Sequence, residues 1–380
     1  MSDYNVLIVG AGIAGVSCAH HLVEAGVEDI AILEKNQPAS RASGRAAGFI
    51  TPDQFLSTGT HPKEHEYIIE FWEEFATDSK IKLHYGDAYT FARERASVRY
   101  LEELHAETAV ESRLLSPDEI AERVPDLKTD EIEMAFMFED GFSLDPYTAT
   151  VTVLDSARAA GTELITEAVE SITPVGDDET LVTTSEETYT AQAVILAAGA
   201  WSKSLTSDID VSLPLKPRIS QIAMLDPKSE IDLPLINDPD LLLYYRSEMN
   251  GEILIGGGTG KTEIDPDTFH PSAREEFIQE IAEKAPKIAD GLLSGDITGK
   301  WSGLCSATPD RHPLVGEIHP NGIYACCGFN GEGVMYSTVA GHLIADLITG
   351  ASTPFDADAF APDRFSTPDE DFEIRSAIEW

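Results

Sequence analysis

The sequence predicts an α/β fold in which a doubly wound, Rossmann-like domain is interleaved with a smaller antiparallel-sheet α+β domain. Three observations carry this prediction. Residues 6–9 form an apolar strand that runs into a glycine-rich turn and a helical pattern through Val23. Residues 193–201 read as a buried apolar strand ending in a glycine turn, as expected at the centre of a parallel sheet. Residues 216–261 alternate strands and turns, with a hairpin signal at Asn250-Gly251.

The turn after the first strand has the G-x-G-x-x-G pattern of a dinucleotide-binding site, here Gly10-Ala11-Gly12-Ile13-Ala14-Gly15. Gly10 allows the tight turn, Gly12 lets the backbone approach a pyrophosphate, and Gly15 lets the helix pack close to the strand. The helix N-terminus offers free N–H groups to the phosphates. Glu34 ends the second apolar strand, where a carboxylate accepts hydrogen bonds from an adenosine ribose and disfavours NADP. The motif alone does not separate FAD from NAD.

The length, composition and net charge of the chain limit the kinds of protein that it can be. The chain has 380 residues, of which 42% are hydrophobic, which is ample for a large core and fits two domains. Its net charge is −41, from 67 acidic and 26 basic residues spread along the whole chain. This charge strains a compact state at low salt, whereas molar salt shortens the Debye length to about 3 Å. We therefore expect a halophile that keeps salt inside its cell. Because the sequence has no basic stripe, we do not expect it to bind nucleic acids, and its negative charge opposes binding to anionic membranes.

Cysteine usage and the first residues indicate a cytoplasmic protein without a bound metal. The four cysteines include the vicinal pair Cys326-Cys327 and match no zinc or iron–sulfur spacing. Small buried thiols are the expected interpretation of that pair. No charged segment with a cleavage site precedes the first strand, so no signal peptide is expected. The longest apolar run is broken by three glycines and by His20-His21, so no membrane insertion is expected.

Hydrophobic periodicity places the remaining elements. Four further helices are expected, at residues 62–80, 94–113, 145–160 and 272–284. Short strands are expected around residues 164–169, 181–184 and 188–189. Ser116 and Glu119 have the spacing of a capping box. A strand over 322–328 runs into a second glycine turn and a helix over 334–348, whose N-terminus can stabilise negative charge on a ligand.

These features together resemble the FAD-dependent family of D-amino acid oxidase, glycine oxidase, sarcosine oxidase and the amine-dehydrogenase subunits. The likeness covers nearly the whole chain. It rests on the first glycine turn with Glu34, the small-residue segment 43–50, the strand 193–201, and the block from Thr308-Pro309-Asp310 to Gly333. That last block looks like the C-terminal signature of the family. The resemblance implies FAD rather than NAD.

The resemblance also implies a division of the chain. An FAD-binding domain is expected from residues 1–75, 145–215 and 302–361, a substrate domain from 76–144 and 216–301, and an irregular tail at 362–380. The residues expected to bind FAD are Gly10, Ala11, Gly12, Ile13, Ala14, Gly15, Glu34, Lys35, Ser43, Arg45, Ala46, Ala47, Gly48, Val169, Ala198, Gly199, Trp201, Gly303, Asn330, Gly331, Glu332, Gly333 and Val334.

The implied reaction is a dehydrogenation. A C–H bond next to an amine nitrogen delivers hydride to flavin N5, and the imine then hydrolyses in water. Many members that oxidise amino acids grip the substrate carboxylate with an arginine before T-P-D, where this chain has Cys305. Either another cation replaces that arginine, for which Arg246 is the candidate, or the substrate is not a simple amino acid. If the reaction is instead the oxidation of an alcohol, Arg246 with Lys216 or Arg218 is expected to hold a phosphate or a second carboxylate. Of the adjacent Tyr244 and Tyr245, only one can face the flavin cavity.

Two further departures concern the flavin. Sarcosine oxidases place a lysine for oxygen activation where this chain has Leu254, which favours transfer of electrons to another acceptor. Monomeric sarcosine oxidases hold FAD through a cysteine, but Cys305 lies two positions closer to T-P-D, so FAD is expected to be non-covalent. The expected catalytic set is Arg246, Tyr244, Cys305 and Phe49.

Two alternatives stay open at this point. One is alcohol oxidation, as in the related 2-hydroxyacid or glycerol-3-phosphate dehydrogenases. The other is a flavin-carrying subunit of a multi-subunit amine dehydrogenase. The substrate is expected to be a small amine or amino acid, while its identity, the electron acceptor and any homo-oligomer are left undetermined.

Overall fold

The computed structural model describes residues 3–51, 62–108, 110–176, 179–365, 371–376 and 378–380. In these ranges the strands are β1 Asp3–Val9, β2 Ile30–Leu33, β3 Phe49–Ile50, β4 His84–Ala92, β5 Arg113–Leu115, β6 Met134–Ser143, β7 Glu163–Ile165, β8 Val169–Val175, β9 Glu179–Thr184, β10 Thr188–Leu196, β11 Lys216–Asp226, β12 Leu235–Asp238, β13 Leu243–Ser247, β14 Ile253–Gly257, β15 Asp296–Ala307, β16 Leu314–His319 and β17 Ile323–Cys327. The helices are α1 Ile13–Glu24, α2 Pro62–Thr77, α3 Arg95–Glu107, α4 Pro117–Arg123, α5 Pro146–Ala159, α6 Ser202–Leu205, α7 Glu275–Lys284 and α8 Gly333–Thr349.

The first sheet carries the glycine-rich turn. Its main strand order is β16-β17-β10-β1-β2-β7, and β1 lies between β10 and β2 with parallel pairing on both sides. The pairs β10–β17 and β2–β7 are also parallel, whereas β16 is an antiparallel edge strand. The carboxyl ends of β1, β2 and β10 therefore meet at one edge, where open α/β sheets bind their ligands.

The two faces of this sheet are covered differently. Helices α1, α5 and α8 share one core with Val6, Ile8 and Ile195 of the sheet. The other face carries Leu7 and Leu196 and is covered by strands β8 and β9 rather than by a second layer of helices. The antiparallel pairing of β9 with the first half of β10 brings these strands over that face.

The second sheet has the order β15-β11-β14-β13-β12-β4-β6-β3, with β5 added on β6. All its pairs are antiparallel except β12–β4. One face packs against α4 and α7, through Ile120, Phe277 and Ile281. Because side chains alternate along a strand, Arg218, Ser220 and Ile222 of β11 share the opposite face.

The chain passes between the two sheets four times, from β2 to β3, β6 to β7, β10 to β11 and β15 to β16. Two parts of the second sheet come from ranges expected in the FAD-binding domain. These are β3 and the last residues of β15. The described residues beyond Arg364 form no helix or strand, although Ile374 and Ile378 are buried.

Several predicted elements are present with their predicted ends. Asp145 caps α5 by accepting a hydrogen bond from the Thr148 N–H, and Ser116 and Glu119 form the complete capping box of α4. The hairpin at Asn250-Gly251 joins β13 to β14, which pair in antiparallel fashion.

Other boundaries were predicted wrongly. Helices α2 and α3 end before the predicted residues 80 and 113, because Ser79 and Thr108 each accept a hydrogen bond from the backbone N–H two residues on. Such local bonds compete with the helical pattern. The predicted strand 164–169 is two strands, β7 and β8, with different partners. The segments 188–189 and 193–196 form one continuous strand, β10. No helix in the described ranges has the length and apolarity needed to cross a membrane.

Candidate active site

A cavity of about 450 Å³ begins at the carboxyl ends of β1, β2 and β10 and reaches the second sheet at β11, β13 and β15. Most residues expected to bind FAD line it. They are Gly10, Gly12, Ile13, Ala14, Glu34, Lys35, Ser43, Arg45, Ala46, Ala47, Gly48, Val169, Ala198, Gly199, Trp201, Gly303, Asn330, Gly331, Glu332, Gly333 and Val334. Ala11 and Gly15 are not in the lining and act from behind it.

The first glycine turn brings three backbone segments together without side chains between them. Gly10 has a φ of +108°, and a Cβ there would lie 2.7 Å from the Ala197 carbonyl oxygen. A Cβ at Gly15 would lie 1.9 Å from the Gly10 carbonyl oxygen. Helix α1 therefore begins at the cavity, where the Ile13 N–H donates to the Ser43 hydroxyl over 2.9 Å. This cradle fits a pyrophosphate at a helix N-terminus.

Glu34 is held at the end of β2 by two backbone groups. One carboxylate oxygen accepts from the Ala11 N–H and the other from the Asn36 N–H, both over 2.8 Å. Ala11 therefore positions Glu34 rather than facing the cavity. Nearby, the Lys35 ammonium lies 3.6 Å from the centroid of the Trp201 ring. A fixed carboxylate beside an aromatic ring suits the ribose and adenine of a dinucleotide.

The second glycine turn lies at the other end of the cavity. Asn330 and Gly331 have φ values of +51° and +112°, and α8 begins two residues later. A Cβ at Gly333 would lie 3.8 Å from the Ile13 side chain, so the N-termini of α8 and α1 lie side by side. Two helix N-termini at one cavity favour a ligand with negative charge at two places. The N–H groups at these two helix N-termini and the glycine turns without side chains fit a flavin dinucleotide.

Arg218 projects into the cavity from β11 beside the second turn. Only 1% of it is exposed, and one terminal nitrogen, Nη2, donates to both the backbone and side-chain oxygens of Asn330, over 2.7 and 3.1 Å. Among the described residues, its Nε and Nη1 have no hydrogen-bond partner. Arg218 is directly opposite Cys305 in the β11–β15 pair. Its guanidinium therefore occupies the neighbourhood in which the resemblance expected an arginine at position 305.

Tyr244 and Cys305 also line the cavity. The Tyr244 ring lies over Gly256, where a Cβ would come within 1.9 Å of the ring. Burial raises the pKa of the Tyr244 hydroxyl well above its usual range, although Ser220, Arg246 and Arg218 act in the opposite direction. The phenol is therefore a neutral hydrogen-bonding group at ordinary pH. Tyr245 points to the other face and donates to Asp238, so Tyr244 is the one that faces the cavity.

The expectation that Arg246 faces the cavity needs correction. Arg246 is on the same face of β13 as Tyr244, but it is not among the lining residues. Its guanidinium carbon lies 4.6 Å from the centroid of the Phe49 ring, and it is paired with Glu248 over 2.7 Å. Phe49, which lines the cavity, packs edge-on against Tyr244. The alternation of side chains along β13 puts Arg246 on the same face as Tyr244, so the sequence alone does not separate the two. In the structure Arg246 lies behind the Phe49 ring and does not reach the cavity.

Comparison with known proteins agrees with this geometry. The sequence pattern of the FAD dependent oxidoreductases (DAO) matches residues 5–347. This chain belongs to that family. The oxidoreductase therefore uses FAD, and its interleaved α/β fold is confirmed by solved structures. Glycine oxidase from Geobacillus kaustophilus superposes with a TM-score of 0.86 at 22% identity, covering 96% of this chain and 100% of the other. L-proline dehydrogenase from P. horikoshii gives 0.84 at 24% identity, with 96% and 98% covered.

Two curated relatives are about twice as long as this chain. The 4-methylaminobutanoate oxidase (formaldehyde-forming) of Paenarthrobacter nicotinovorans is 28% identical over 95% of this chain, but only 45% of the relative is covered. The chain thus spans about half the length of that relative, and 44% of rat mitochondrial dimethylglycine dehydrogenase. Monomeric sarcosine oxidase of Arthrobacter sp. matches over 96% of its own length at 22% identity.

The sequence did not indicate how much β11 contributes to the cavity, or that the C-terminal tail contributes to it at all. The sequence suggested Arg218 only as a cation for the alternative of alcohol oxidation, although its alternation with Ser220 and Ile222 on one strand was a usable signal. Ser376 and Ile378 also line the cavity of this oxidoreductase. Their contribution depends on how the tail returns to the second sheet, and no local pattern indicates that.

We predict that Gly12→Val abolishes FAD binding while the protein still folds. A Cβ at Gly12 would lie 3.2 Å from the Ser43 hydroxyl, and the branched side chain fills the pyrophosphate cradle. Flavin released by acid precipitation measures occupancy, and circular dichroism measures folding. Gly86→Val is the control, because no residue that the structure describes lies within 4 Å of a Cβ there. Full flavin occupancy in Gly12→Val would show that the pyrophosphate binds elsewhere.

Proposed function

We propose that this oxidoreductase oxidises a C–N bond of an amino acid or secondary amine that carries a carboxylate. The observation that carries the proposal is the buried Arg218 beside the second glycine turn. By their names, the relatives act on 4-methylaminobutanoate, dimethylglycine and sarcosine, all of which combine a substituted amine with a carboxylate. Each of these substrates needs a cation at the flavin end of the cavity to bind its carboxylate.

Arg218 suits a substrate anion because, within the described ranges, its charge has no anionic partner. Its hydrogen bonds go to two neutral oxygens of Asn330, and two of its nitrogens remain available. A buried guanidinium without a counter-charge is costly, and a bound carboxylate relieves that cost through charge-assisted hydrogen bonds. The Tyr244 hydroxyl, near Cys305, offers one further hydrogen bond.

The remaining groups orient the substrate and exclude water. When bound, FAD supplies the two-electron oxidant. Phe49 and Ile222 give the cavity apolar walls, so an amine held there loses its hydration. Arg218 fixes the carboxylate end and thereby the carbon next to nitrogen. No strong base is required of the chain, because the amine reacts in its unprotonated form.

We propose that FAD is bound non-covalently and that electrons pass to an acceptor other than oxygen. Cys305 lines the cavity opposite Arg218, but it lies two positions closer to T-P-D than the cysteine that holds FAD in monomeric sarcosine oxidases. Leu254, where sarcosine oxidases have a lysine, is buried opposite Arg246 and supplies no cation to the flavin. A flavin-carrying subunit of a larger complex would fit the same features. The mass of the purified protein, measured by size exclusion in molar salt, separates that arrangement from a free enzyme.

A substrate panel tests the proposed reaction. The holoenzyme should reduce an artificial dye with N-methylated amino acids as substrates, at rates that are the same in air and under nitrogen. 2-Hydroxy acids and glycerol 3-phosphate should be poor substrates, because they lack the amine that the reaction needs. Preferential turnover of either of these alcohols would replace the C–N assignment with alcohol oxidation, and rapid peroxide formation in air would identify an oxidase.

We predict that Arg218→Met raises the KM for an N-methylated amino acid by about 30-fold or more, which corresponds to about 2 kcal/mol. The methionine preserves bulk and removes the charge. Arg246→Met is the matched control, since that residue lies behind Phe49. Its KM should change less than about fivefold. A larger effect at Arg246 than at Arg218 would reverse the assignment of the anion site.

We also propose that the protein works in the cytoplasm of a halophile that accumulates salt. The net charge of −41 predicts a melting temperature that rises by about 10 °C or more from dilute buffer to molar KCl, because salt screens repulsion between carboxylates. A non-ionic osmolyte at equal osmolality is the control. A melting temperature that does not change with KCl would rule out this origin of the charge.

A further inference from the structure

A second cavity adjoins the first and shares part of its lining. It has a volume of about 560 Å³ and lies between β11, the segment after β14, and α7. Thr259, Ser376 and Ile378 line both cavities. These three residues therefore form a partition, with the flavin and substrate cavity on one side and the second cavity on the other.

The partition lies next to the anion site. The Gly260 N–H donates to the Ile219 carbonyl over 3.0 Å, and the Gln221 side-chain N–H donates to the Gly258 carbonyl over 2.8 Å. Thr259 is thereby fixed alongside the part of β11 that carries Arg218. The Ser376 and Thr259 hydroxyls are 3.2 Å apart, which brings the tail to the same place.

Contacts on the far side of Ile378 hold the tail. The Trp380 indole N–H donates to Asp240 over 2.6 Å, and its ring packs edge-on against Tyr100. The Glu379 carbonyl accepts from Arg311, and the Glu379 carboxylate pairs with Lys261 over 3.1 Å. These contacts do not involve the Ile378 side chain, so the tail can stay in place when that side chain is shortened.

We propose that Ile378 limits the length of the substrate in this site, and that the second cavity receives the longer chain once Ile378 is shortened. This inference rests on the proposed function only in that a carboxylate binds at Arg218. An apolar side chain that separates two spaces selects by size, because a ligand atom cannot displace it without losing packing on both sides. Ile378 is thus a specificity-determining residue in a segment without regular structure.

The test uses ligand binding rather than turnover. The FAD-loaded protein is titrated with straight-chain carboxylates from acetate to octanoate, and the flavin absorbance change gives each Kd. In Ile378→Ala the ratio of the octanoate Kd to the acetate Kd should fall at least about tenfold relative to wild type, which is about 1.4 kcal/mol. Ile374→Ala is the matched control: Ile374 and Ile378 are 4% and 5% exposed, but Ile374 lines neither cavity.

Each outcome has one meaning. A fall confined to Ile378→Ala supports the partition, and an intermediate fall in Ile378→Val supports it even if the alanine variant unfolds. An equal ratio in wild type, Ile378→Ala and Ile374→Ala overturns it. If carboxylates bind with the same Kd to wild type and Arg218→Met, the anion site is wrong and the inference that rests on it falls with it, whereas an equal length ratio with weaker binding in Arg218→Met overturns the role of Ile378 alone. Absence of binding by the whole series in all proteins overturns both.

Discussion

The close approach of α1 to the turn after β1 is the constraint on which the site depends. Gly10 and Gly15 leave no room for a Cβ, so β1, β10 and the start of α1 meet through backbone atoms alone. Helix α8 packs on α1 just as closely, because a Cβ at Gly341 would lie 2.5 Å from the Ser17 hydroxyl. The two helix N-termini are thereby brought to the same cavity, and their partial positive charges act on one ligand.

Electrostatics give the other end of the site its character. Basic residues are scarce in this chain, and the buried Arg93 is balanced by Asp238 over 2.8 Å. Arg218 is buried more deeply, with 1% exposed, and among the described residues it bonds only neutral oxygens of Asn330. In a protein with a net charge of −41, a buried cation with no ion pair to any carboxylate in the described part of the chain supports an external anion.

Local chemistry determined what could be predicted from the sequence. The first glycine turn with Glu34, the capping box at Ser116 and the second glycine turn each depend on residues a few positions apart, and all were found. The cation at the substrate end could not be chosen in this way. Arg218 and Arg246 are both strand arginines near the cavity, and the Phe49 ring, which packs against the Arg246 guanidinium, comes from a distant part of the chain. The return of the tail to Thr259 is equally non-local.

The four passages of the chain between the sheets have a consequence for how this protein is made. The central strand pair of the first sheet joins β1 to β10, and β10 then needs β17 on its other side. Helix α1 likewise receives its partner α8 only after residues 333–349 have been made. A nascent chain that has not yet reached β17 would therefore expose one face of α1 and one edge of β10. Neither sheet can be completed from a contiguous stretch of the chain, so the molecule folds through non-local pairings and as one unit.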